Sequence, residues 1–381
     1  MTDKSGVNTV QHRTVTIIGA GPAGSSCAIV LRRKGVRRVV LIDAPKKDRF
    51  QIGESIPPDM NRVLRELGVR PNFVQQGHDP CYGSCSWWGS ELRGYNDTIL
   101  SPHGHGWHLD RARFNTFMQD EALASGADLL NKFTFETAAE DKDGFKLTLR
   151  NAEGLPQEIE SDLVVDASGS RAVFARSQGS VKLHDRPLIC LGLRFGGKHT
   201  AGLSALTHLE SVEEGWWYAA RIPGGQVLVT LYSNAATVKQ LGLQHVEQWI
   251  ARLQAAPQTS RWVRRLEPRD AKLLAFPAPS FHLDKVGGAH WTAIGDAATT
   301  FDPITSNGII KAVTHGMQAA ELIVAHLNGR HDALRHFDAL VKQQHAHYLD
   351  MRAHYYALEQ RWPDSPFWRE MHEAALDRTT G

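Results

Sequence analysis

Short apolar runs that end in turns containing glycine or aspartate recur along the chain and predict buried parallel strands. The first two are 15–18, followed by a glycine-rich turn, and 39–42, followed by an aspartate. Two more occur at 163–166 and within 290–298. Strands covered on both faces read as continuous apolar runs rather than alternating ones. Because helical spacing follows the first turn and again covers 308–327, the pattern predicts an α/β sheet with helices packed against it.

The segment 14–44 has the arrangement that binds a dinucleotide in many α/β proteins. Gly19 allows a tight turn after the strand, Gly21 lets the backbone approach a diphosphate, and Gly24 lets the helix pack closely. The helix N-terminus offers free N–H groups and a partial positive charge. Asp43, nineteen residues after Gly24, is placed to accept hydrogen bonds from a ribose. The predicted contacts are Gly19, Gly21, Pro22, Ala23, Gly24 and Asp43; an ordinary βαβ unit with a glycine-rich turn is the alternative.

A second pattern, alternating apolar and polar positions, predicts antiparallel strands elsewhere. It covers 132–150 and much of 181–286, where a helical stretch interrupts it. The predicted fold is therefore α/β: a Rossmann-type three-layer domain interleaved with an antiparallel-sheet (α+β) substrate domain and followed by a helical tail. The predicted boundaries are 1–72, 101–180 and 287–329 for the first domain, 73–100 and 181–286 for the second, and 330–381 for the tail.

Composition and charge narrow the class of protein. The chain has 381 residues, 42% hydrophobic and 22% charged, enough for a large core and two domains. A net charge of +2 without a basic stripe predicts no nucleic-acid partner. Glycine, proline and serine break the longest apolar stretch, and the first dozen residues are polar, so neither a membrane span nor a signal peptide is expected. Four cysteines without a second ligand pair predict reduced thiols in the cytoplasm and no metal site.

Three turns after predicted strands occur in a characteristic order: GAGPAG (19–24), DASGSRAVFAR (166–176) and AIGDAATTFDP (293–303). This order resembles the FAD-dependent aromatic hydroxylase and halogenase superfamily, over nearly the whole chain. The resemblance implies a fold of the para-hydroxybenzoate hydroxylase type with FAD bound by all three turns. It places the second turn near the FAD diphosphate, the third turn's aspartate at the ribityl chain and the 303–308 loop beside the flavin ring. The residues implied are Asp166, Gly169, Asp296, Pro303, Asn307, Gly308 and Ile309.

The helix predicted to begin near Gly308 supports a flavin site independently of the resemblance. A helix beginning near Gly308 directs its positive end toward the pyrimidine side of a flavin. Reduced flavin is anionic there, so this placement lowers the energy of the reduced state. For Asp296 a structural alternative exists, an N-cap at the start of a helix.

Five further segments resemble a branch of the superfamily related to tryptophan halogenases. They are GESIPP (53–58), GWHLDR (106–111), GWWY (215–218), DPITSNGI (302–309) and RWPDSPFW (361–368). Some members of this branch are halogenases, and others resemble flavin monooxygenases that oxidise a tryptophan of a partner protein during quinone-cofactor biogenesis. The likeness implies that Glu54, Ser55 and Arg111 contact FAD, although Ser55 could instead cap the following helix.

Two departures from the halogenase pattern separate the two groups. Flavin halogenases use a lysine shortly after the GES segment to handle hypohalous acid, and here no lysine occurs between Lys47 and Lys132. Tryptophan halogenases also carry a Glu-Ser pair after Asp-Pro, where this chain has Thr305 and Ser306. We therefore expect a monooxygenase that hydroxylates an electron-rich aromatic ring. The alternatives are a halogenase, an FAD-dependent reductase or dehydrogenase, and a non-catalytic FAD-containing maturation factor.

The expected chemistry is oxygen transfer from a flavin C4a-hydroperoxide to an indole or phenol, with O2 as co-substrate. The electron donor is NAD(P)H, used directly or through a separate flavin reductase. The substrate, a small aromatic molecule or an aromatic residue of a peptide or protein, is expected between the 303–308 loop and the antiparallel sheet. The expected lining is Trp87, Trp88, Trp216 and Trp217, although core packing is the better interpretation of any single one. The candidate catalytic residues are His78, His108 and Ser306.

Overall fold

The computed structural model describes residues 13–45, 50–197, 200, 204–270 and 272–379, so the polar first dozen residues lie outside the description. The strands are β1 (Thr14–Ile18), β2 (Arg38–Asp43), β3 (Ser55–Ile56), β4 (Asp79–Cys81), β5 (Gly83–Trp87), β6 (Gly94–Asp97), β7 (Gly106–His108), β8 (Asp128–Asn131), β9 (Thr134–Glu140), β10 (Phe145–Arg150), β11 (Pro156–Ser161), β12 (Leu163–Asp166), β13 (Lys182–His184), β14 (Leu188–Gly196), β15 (Thr207–Val212), β16 (Gly215–Ile222), β17 (Gln226–Ser233), β18 (Glu267–Pro268), β19 (Leu274–Ala278), β20 (Phe281–Leu283), β21 (Trp291–Ala293) and β22 (Thr299–Thr300). The helices are α1 (Pro22–Arg33), α2 (Met60–Glu66), α3 (Arg70–Val74), α4 (Arg111–Ala124), α5 (Val173–Ser177), α6 (Ala235–Gln240), α7 (Val246–Ala255), α8 (Thr259–Val263), α9 (Gly308–Leu327), α10 (Ala333–Ala357) and α11 (Pro366–Thr379).

In the described part of the chain, five strands form a parallel sheet in the order β21-β12-β1-β2-β8. β1 lies in the middle, and its Val15 and Ile17 are fully buried, which explains the continuous apolar run. Four of the strands correspond to the apolar runs in the sequence. The fifth, β8, is an edge strand whose side chains are exposed or half-buried, so no apolar run marks it.

Helices α1 and α9 pack closely against each other and share one core with β1, β2 and β12. Ser26 Oγ on α1 donates a hydrogen bond to the Val313 carbonyl on α9 at 3.1 Å. A Cβ at Gly316 would lie 2.1 Å from that hydroxyl, so glycine is needed where the helices meet. α9 spans Gly308–Leu327, as its helical spacing predicted.

The second large sheet contains strands from both predicted substrate segments. Its order is β18-β14-β17-β16-β15-β5-β6, with β19 also paired to β14. β5 and β15 are parallel, whereas the other neighbours are antiparallel. Side chains alternate between the faces, so Trp217 packs with Trp249 of α7 while Trp216 packs with Tyr356 of α10.

The last two helices, α10 and α11, lie against the second face of this sheet and share a core with β14, β16 and β17. Parallel sheet, antiparallel sheets and helical tail together confirm the predicted fold class. The described helices include none with both the length and the apolar character needed to cross a membrane.

Candidate active site

The carboxyl ends of the parallel strands lie along one edge of the sheet, and we call the space beside them the strand-end cleft. The 19–24 turn follows β1, β2 ends at Asp43, and the 295–297 turn follows β21. Parallel strands place these ends at one edge of the sheet, where ligands of α/β folds bind. The 169–171 turn after β12 contacts the 295–297 turn. The three motifs that are far apart in sequence therefore meet.

The glycines of the first turn have different structural roles. A Cβ at Gly19 would lie 2.2 Å from the Ala167 oxygen, and one at Gly24 would lie 2.0 Å from the Gly19 oxygen. A Cβ at Gly21 would meet nothing within 4 Å. Gly19 and Gly24 thus permit packing, whereas Gly21 borders open space. α1 starts there without a side-chain cap and without an acidic residue in its first turn, so its positive end is available to an anion.

Asp43 and Asp296 border the same cleft. The Asp43 carboxylate accepts a hydrogen bond from Gln119 Nε2 at 3.1 Å, and the same amide donates to the Ala20 carbonyl at 2.8 Å. Gln119 thereby ties Asp43 to the glycine turn, a role that no sequence motif indicated. The half-exposed Asp296 accepts a hydrogen bond from Lys311 Nζ at 2.8 Å, and Lys311 itself is buried.

Two residues predicted to contact the cofactor do not face the cleft. Asp166 is fully buried, and its carboxylate accepts three backbone N–H bonds from within 168–175 at 2.8 to 3.0 Å, so it caps α5. Burial raises the pKa of Asp166. Ile309 belongs to the core. Both side chains therefore hold turns and helices in place, and a cofactor contact of either residue stays a prediction. Gly169 and Gly308 do border open space.

The 303–308 loop links the cleft to a cavity of about 420 Å³. It begins at Pro303 in a single 3-10 turn, passes Ser306 in the left-handed region (φ 51°) and ends at Asn307, the N-cap residue of α9. Its residues 304–306 line the cavity. The other walls come from 55–58, β5, β15 and the end of α10, so the cavity lies where the predicted substrate chamber was expected.

The cavity wall combines polar and apolar side chains. The polar side chains include Ser55, Ser84, Ser86, Asn96, Thr207 and Ser306. The apolar ones include Ile56, Trp88, Leu209, Ile304 and Leu358. Among the residues that the structure describes, no charged side chain lines the cavity. A ring with hydrogen-bonding substituents fits such a wall, whereas an unpaired charge would not.

Of the four tryptophans predicted to line the chamber, Trp88 does so. Trp216 and Trp217 are fully buried in the cores on the two faces of the sheet. Trp87 lies on the sheet face away from the cavity, stacked with His208 at a centroid distance of 6.3 Å. The expectation is corrected for these three residues. Alternation along the strands turns Trp87 and Trp217 to the face away from the cavity. Trp216 is on the same face as Trp88 but is covered by Trp88 and Tyr356.

The candidate histidines do not line the cavity. His78 Nδ1 accepts a hydrogen bond from the Asp110 N–H at 3.2 Å, and burial lowers the pKa of His78 to about 4. His108 is fully buried, and burial, aided by the charge of Arg221, lowers its pKa to about 4. Neither is placed to act as a base on a ring in the cavity, which corrects that prediction. Ser306, the third candidate, does line the cavity.

Ser55 joins the cavity to a buried polar cluster. Its hydroxyl lies 2.7 Å from Tyr218 OH, 3.0 Å from His108 Nδ1 and 3.1 Å from Thr207 Oγ1. The neighbouring Glu54 is 3% exposed, and its carboxylate accepts the Gly53 N–H at 2.9 Å. Predicted as cofactor contacts, Glu54 and Ser55 thus lie in a network behind the cavity wall. Tyr218 and Thr207 had no sequence signal.

Arg111 connects that network to the rest of the site. Its guanidinium donates to the Gly53 carbonyl at 3.1 Å and lies near the charges of Glu54 and Asp296. Burial lowers the pKa of Arg111. Its Nε is buried without a partner among the described residues. An unsatisfied buried donor of this kind points to a missing polar partner.

A buried ion pair holds the loop that carries residues 303–308. Asp302 accepts hydrogen bonds from Arg352 Nε at 3.1 Å and from Tyr356 OH at 2.9 Å. The hydroxyl of Tyr348 accepts from the Asp302 N–H at 2.8 Å. All three partners belong to α10, so this helix fixes the start of the loop. The motif DPITSNGI contains Asp302, but the sequence did not indicate Arg352.

A comparison with protein-family models shows which family the chain belongs to. The model described as tryptophan halogenase matches residues 14–96 and 90–380. The chain belongs to the tryptophan halogenase family. This confirms the superfamily and branch that the motifs indicated.

Curated relatives and solved structures cover most of the chain. The putative FAD-dependent oxidoreductase LodB from Marinomonas mediterranea is 25% identical over 357 residues, 93% of this chain and 96% of LodB. The flavin-dependent halogenase armH3 from Armillaria mellea is 25% identical over 346 residues, 83% of this chain and 68% of armH3. The structure of the flavin-dependent halogenase CmlS has a TM-score of 0.85 at 22% identity, with coverage of 97% and 70%. The peptidyl tryptophan dihydroxylase QhpG has a TM-score of 0.77 at 22% identity, with coverage of 94% and 78%.

Proposed function

We propose that this protein is an FAD-dependent monooxygenase that hydroxylates an electron-rich aromatic ring, an indole or a phenol. The observation that carries the proposal is the uncharged wall of the cavity. A halogenase needs an ammonium group to hold hypohalous acid near the substrate, by the family likeness. The described lining residues include no lysine, and Lys311, the lysine nearest to the loop in sequence, is buried against Asp296.

FAD fits the donor set of the strand-end cleft. The open space at Gly21 leaves room for a diphosphate at the start of α1, whose N–H groups lack a side-chain cap. Asp43 is oriented for a ribose diol by Gln119. The Arg111 Nε is buried without a described partner, and Asp296 is half-exposed, so both offer polar groups to a cofactor. We assign cofactor contacts to the 19–24 turn, Asp43, Arg111, Gly169, Asp296 and the 303–308 loop.

The chain's own residues position the reaction. The uncapped start of α9 directs positive potential to the end of the 303–308 loop, which favours a reduced, anionic ring there. Asp302 and Arg352 hold that loop rigidly against α10. When bound and reduced, FAD would supply the electrons that activate O2 for transfer to the aromatic ring. NAD(P)H, directly or through a separate reductase, is the proposed source of those electrons.

The substrate enters the cavity as a neutral aromatic group. Burying an unpaired carboxylate or ammonium costs several kcal/mol, and the described wall offers no counter-charge. A neutral small aromatic molecule and an aromatic residue within a peptide both meet this condition, whereas a free amino acid does not. The name of QhpG, a peptidyl tryptophan dihydroxylase, supports the peptide form.

The test is mass spectrometry after incubation with FAD, NADH, a flavin reductase and air. We expect N-acetyl-tryptophanamide or a neutral phenol to gain one or two oxygen atoms, with free tryptophan at least about tenfold slower. A Gly21→Ala variant, which keeps the fold but closes the approach to the turn, is the control for FAD dependence. Turnover without oxygen, or no product from any aromatic substrate, would overturn the proposal.

A halogenase is the second candidate, since the family is named for halogenation and armH3 is a flavin-dependent halogenase. The same incubation with chloride or bromide present distinguishes the two. A halogen isotope pattern in the product, absent without halide, would favour this candidate over hydroxylation.

A further inference from the structure

The short strand β6 is one outer edge of the second large sheet. Among the residues that the structure describes, it pairs with β5 alone, so its other side carries unpaired backbone groups. All four of its residues, Gly94–Asp97, are exposed. An unpaired edge is a template on which another extended chain can form backbone hydrogen bonds. β6 is therefore accessible to a further strand.

The contacts between β5 and β6 show which backbone groups point outward. The Thr98 N–H donates to the Tyr82 carbonyl at 3.1 Å. The Asn96 carbonyl is also directed at β5, since a Cβ at Gly83 would clash with its oxygen. In an antiparallel pair, successive residues alternate between bonding to the neighbouring strand and pointing away from it. The N–H and C=O of Tyr95 therefore point to the unpaired side.

The same strand borders the cavity. Asn96 and Thr98 line it together with two serines of β5, because alternation places these four side chains on one face of the sheet. Asn96 is exposed although it lines the cavity. Tyr355 and Leu358 at the end of α10 also line the cavity and are exposed. The cavity therefore opens to solvent between β6 and the end of α10.

A strand added to β6 would direct alternate side chains toward this opening. Residues directly opposite each other on neighbouring strands have side chains on the same face. A residue opposite Asn96 would thus face the cavity, and its two neighbours, opposite Tyr95 and Asp97, would face away. In an antiparallel addition those two neighbours form the backbone hydrogen bonds. The edge would hold an extended segment by its backbone and leave its central side chain free to enter the cavity.

The chemistry around the edge indicates what that segment carries. The described cavity wall is uncharged and includes the ring of Trp88, so the central residue is a neutral aromatic one. Exposed apolar side chains lie beyond both ends of β6: Leu92 before it, and Ile99 and Leu100 after it. They offer apolar contacts to the residues that flank the central one. Such a segment belongs to a partner polypeptide.

A second copy of this chain fits the edge less well. If two copies paired through β6, their outward-pointing residues would lie opposite one another. The residue opposite Asn96 would then be Gly94, Asn96 or Thr98 of the other copy, which occupy the alternate positions. None of these residues is aromatic, so the cavity would stay unfilled.

We propose that the unpaired edge of β6 docks an extended segment of a partner polypeptide as an additional antiparallel strand, which presents an aromatic side chain to the cavity. The proposal deepens the monooxygenase function and rests on it for the reaction in the cavity. Backbone hydrogen bonds along β6 supply the affinity, and the cavity supplies the selectivity for the central residue. The docking itself can be measured without turnover.

Isothermal titration calorimetry with an uncharged, end-blocked peptide tests the docking. The peptide has a central tryptophan between valines. Methylation of one backbone nitrogen at a time should weaken binding about tenfold at the two residues that flank the tryptophan, because each loses a hydrogen bond to β6. Methylation at the tryptophan itself should have little effect, and this peptide is the matched control. A loss that does not alternate along the peptide, or no binding of the unmodified peptide, would overturn the proposal.

A variant of the edge gives the complementary test. Tyr95→Pro removes one outward N–H and leaves the bonds to β5 in place, which an edge strand tolerates. It should weaken peptide binding about tenfold, whereas Tyr95→Ala keeps the N–H and should bind the peptide like the wild type. Urea denaturation checks that both variants fold, and the methylated peptides need no variant. Equal affinity of the proline and alanine variants would contradict the docking.

Turnover and oligomeric state separate the docking from its alternatives. Oxygen transfer to a neutral phenol without binding of the peptide would refute only the docking. Peptide binding with the alternating pattern but without oxygen transfer to any substrate would refute only the monooxygenase proposal. A wild-type dimer that Tyr95→Pro converts into monomers, measured by sedimentation, would assign the edge to a second copy and overturn the docking of a partner.

Discussion

The strand-end cleft and the cavity meet at the 303–308 loop but are built in different ways. The cleft is bordered mainly by backbone: turns after parallel strands, an uncapped helix start and the open space beside Gly21. The cavity is bordered by side chains from β5, β15, the segment 55–58 and the end of α10, which are far apart in sequence.

Because of this difference, the cleft suits cofactor binding and the cavity suits substrate binding. A site made from backbone at strand ends accepts any ligand with the right phosphate and ribose geometry, so it suits a cofactor shared by many enzymes. A site made from side chains can differ between relatives without disturbing the fold. The described cavity wall carries no charge, and in the proposed function this wall selects the substrate.

The largest expected effect is on the sheet that supports the cavity. Trp217 is fully buried on the face away from it and packs edge-on against Trp249 at a centroid distance of 5.0 Å. Trp217→Ala should lower the free energy of unfolding by about 3–5 kcal/mol, measured by urea denaturation. Trp217→Phe, which fills most of the space, is the matched control and should cost less. A loss below about 1 kcal/mol in the alanine variant would contradict the packing described.

In the cleft, two glycines should respond differently. Gly24→Ala places a methyl group 2.0 Å from the Gly19 oxygen and should lower the free energy of unfolding by about 2–3 kcal/mol. Gly21→Ala meets nothing within 4 Å, so its unfolding should change by less than about 0.5 kcal/mol while FAD binding weakens. Urea denaturation and flavin titration measure the two effects. Equal stability of both variants would show that Gly24 is not a packing position.

Asp43 tests whether the cleft holds the ribose. Asp43→Asn should weaken FAD binding by about 1.5–3 kcal/mol, because a charged acceptor is replaced by a neutral amide. Asp128→Asn on the adjacent β8 is the control, since its carboxylate lies 3.7 Å from Arg38 at an exposed edge. Flavin titration by fluorescence gives both affinities. Unchanged affinity in Asp43→Asn would remove this residue from the site.

The last effect concerns acid and is the smallest for a change of one pH unit. His108 behind the cavity and His315 on α9 are both buried, and burial lowers the pKa of each to about 4 from 6.5. The unfolded chain therefore binds more protons, and stability should be complete above pH 6.5 and decline toward about pH 4. Each residue contributes at most about 1.4 kcal/mol per pH unit. His108→Asn and His315→Gln should each flatten the decline in urea denaturation; an unchanged slope in both would mean that other groups cause it.

Several features could be predicted because they depend on local rules. Strand β1, the 19–24 turn and α9 were predicted within about one residue, since burial on both faces imposes apolar runs and helical spacing. Gly19, Gly24 and Asp43 also follow from a motif whose spacing reflects backbone geometry. β8 was missed because its edge position leaves no apolar signal.

Side-chain roles were harder to predict. Asp166 and Asp43 both end parallel strands, yet Asp166 turns inward to cap α5 and Asp43 borders the cleft. Trp216 and Trp88 both belong to aromatic pairs, yet only Trp88 reaches the cavity. The direction of a side chain depends on which elements pack around it, and a single sequence carries no direct record of that.

The amino-acid sequence by itself determined the α/β class, the order of the three turns and the family, because strand burial and turn geometry constrain residues that are close together in the chain. Only the tertiary structure decided that Ser55 hydrogen-bonds Tyr218 and Thr207 and that Arg352 holds Asp302. Hydrogen bonds and ion pairs act over about 3 Å, and residues 163 positions apart reach that distance only after the sheets and the C-terminal helix have packed.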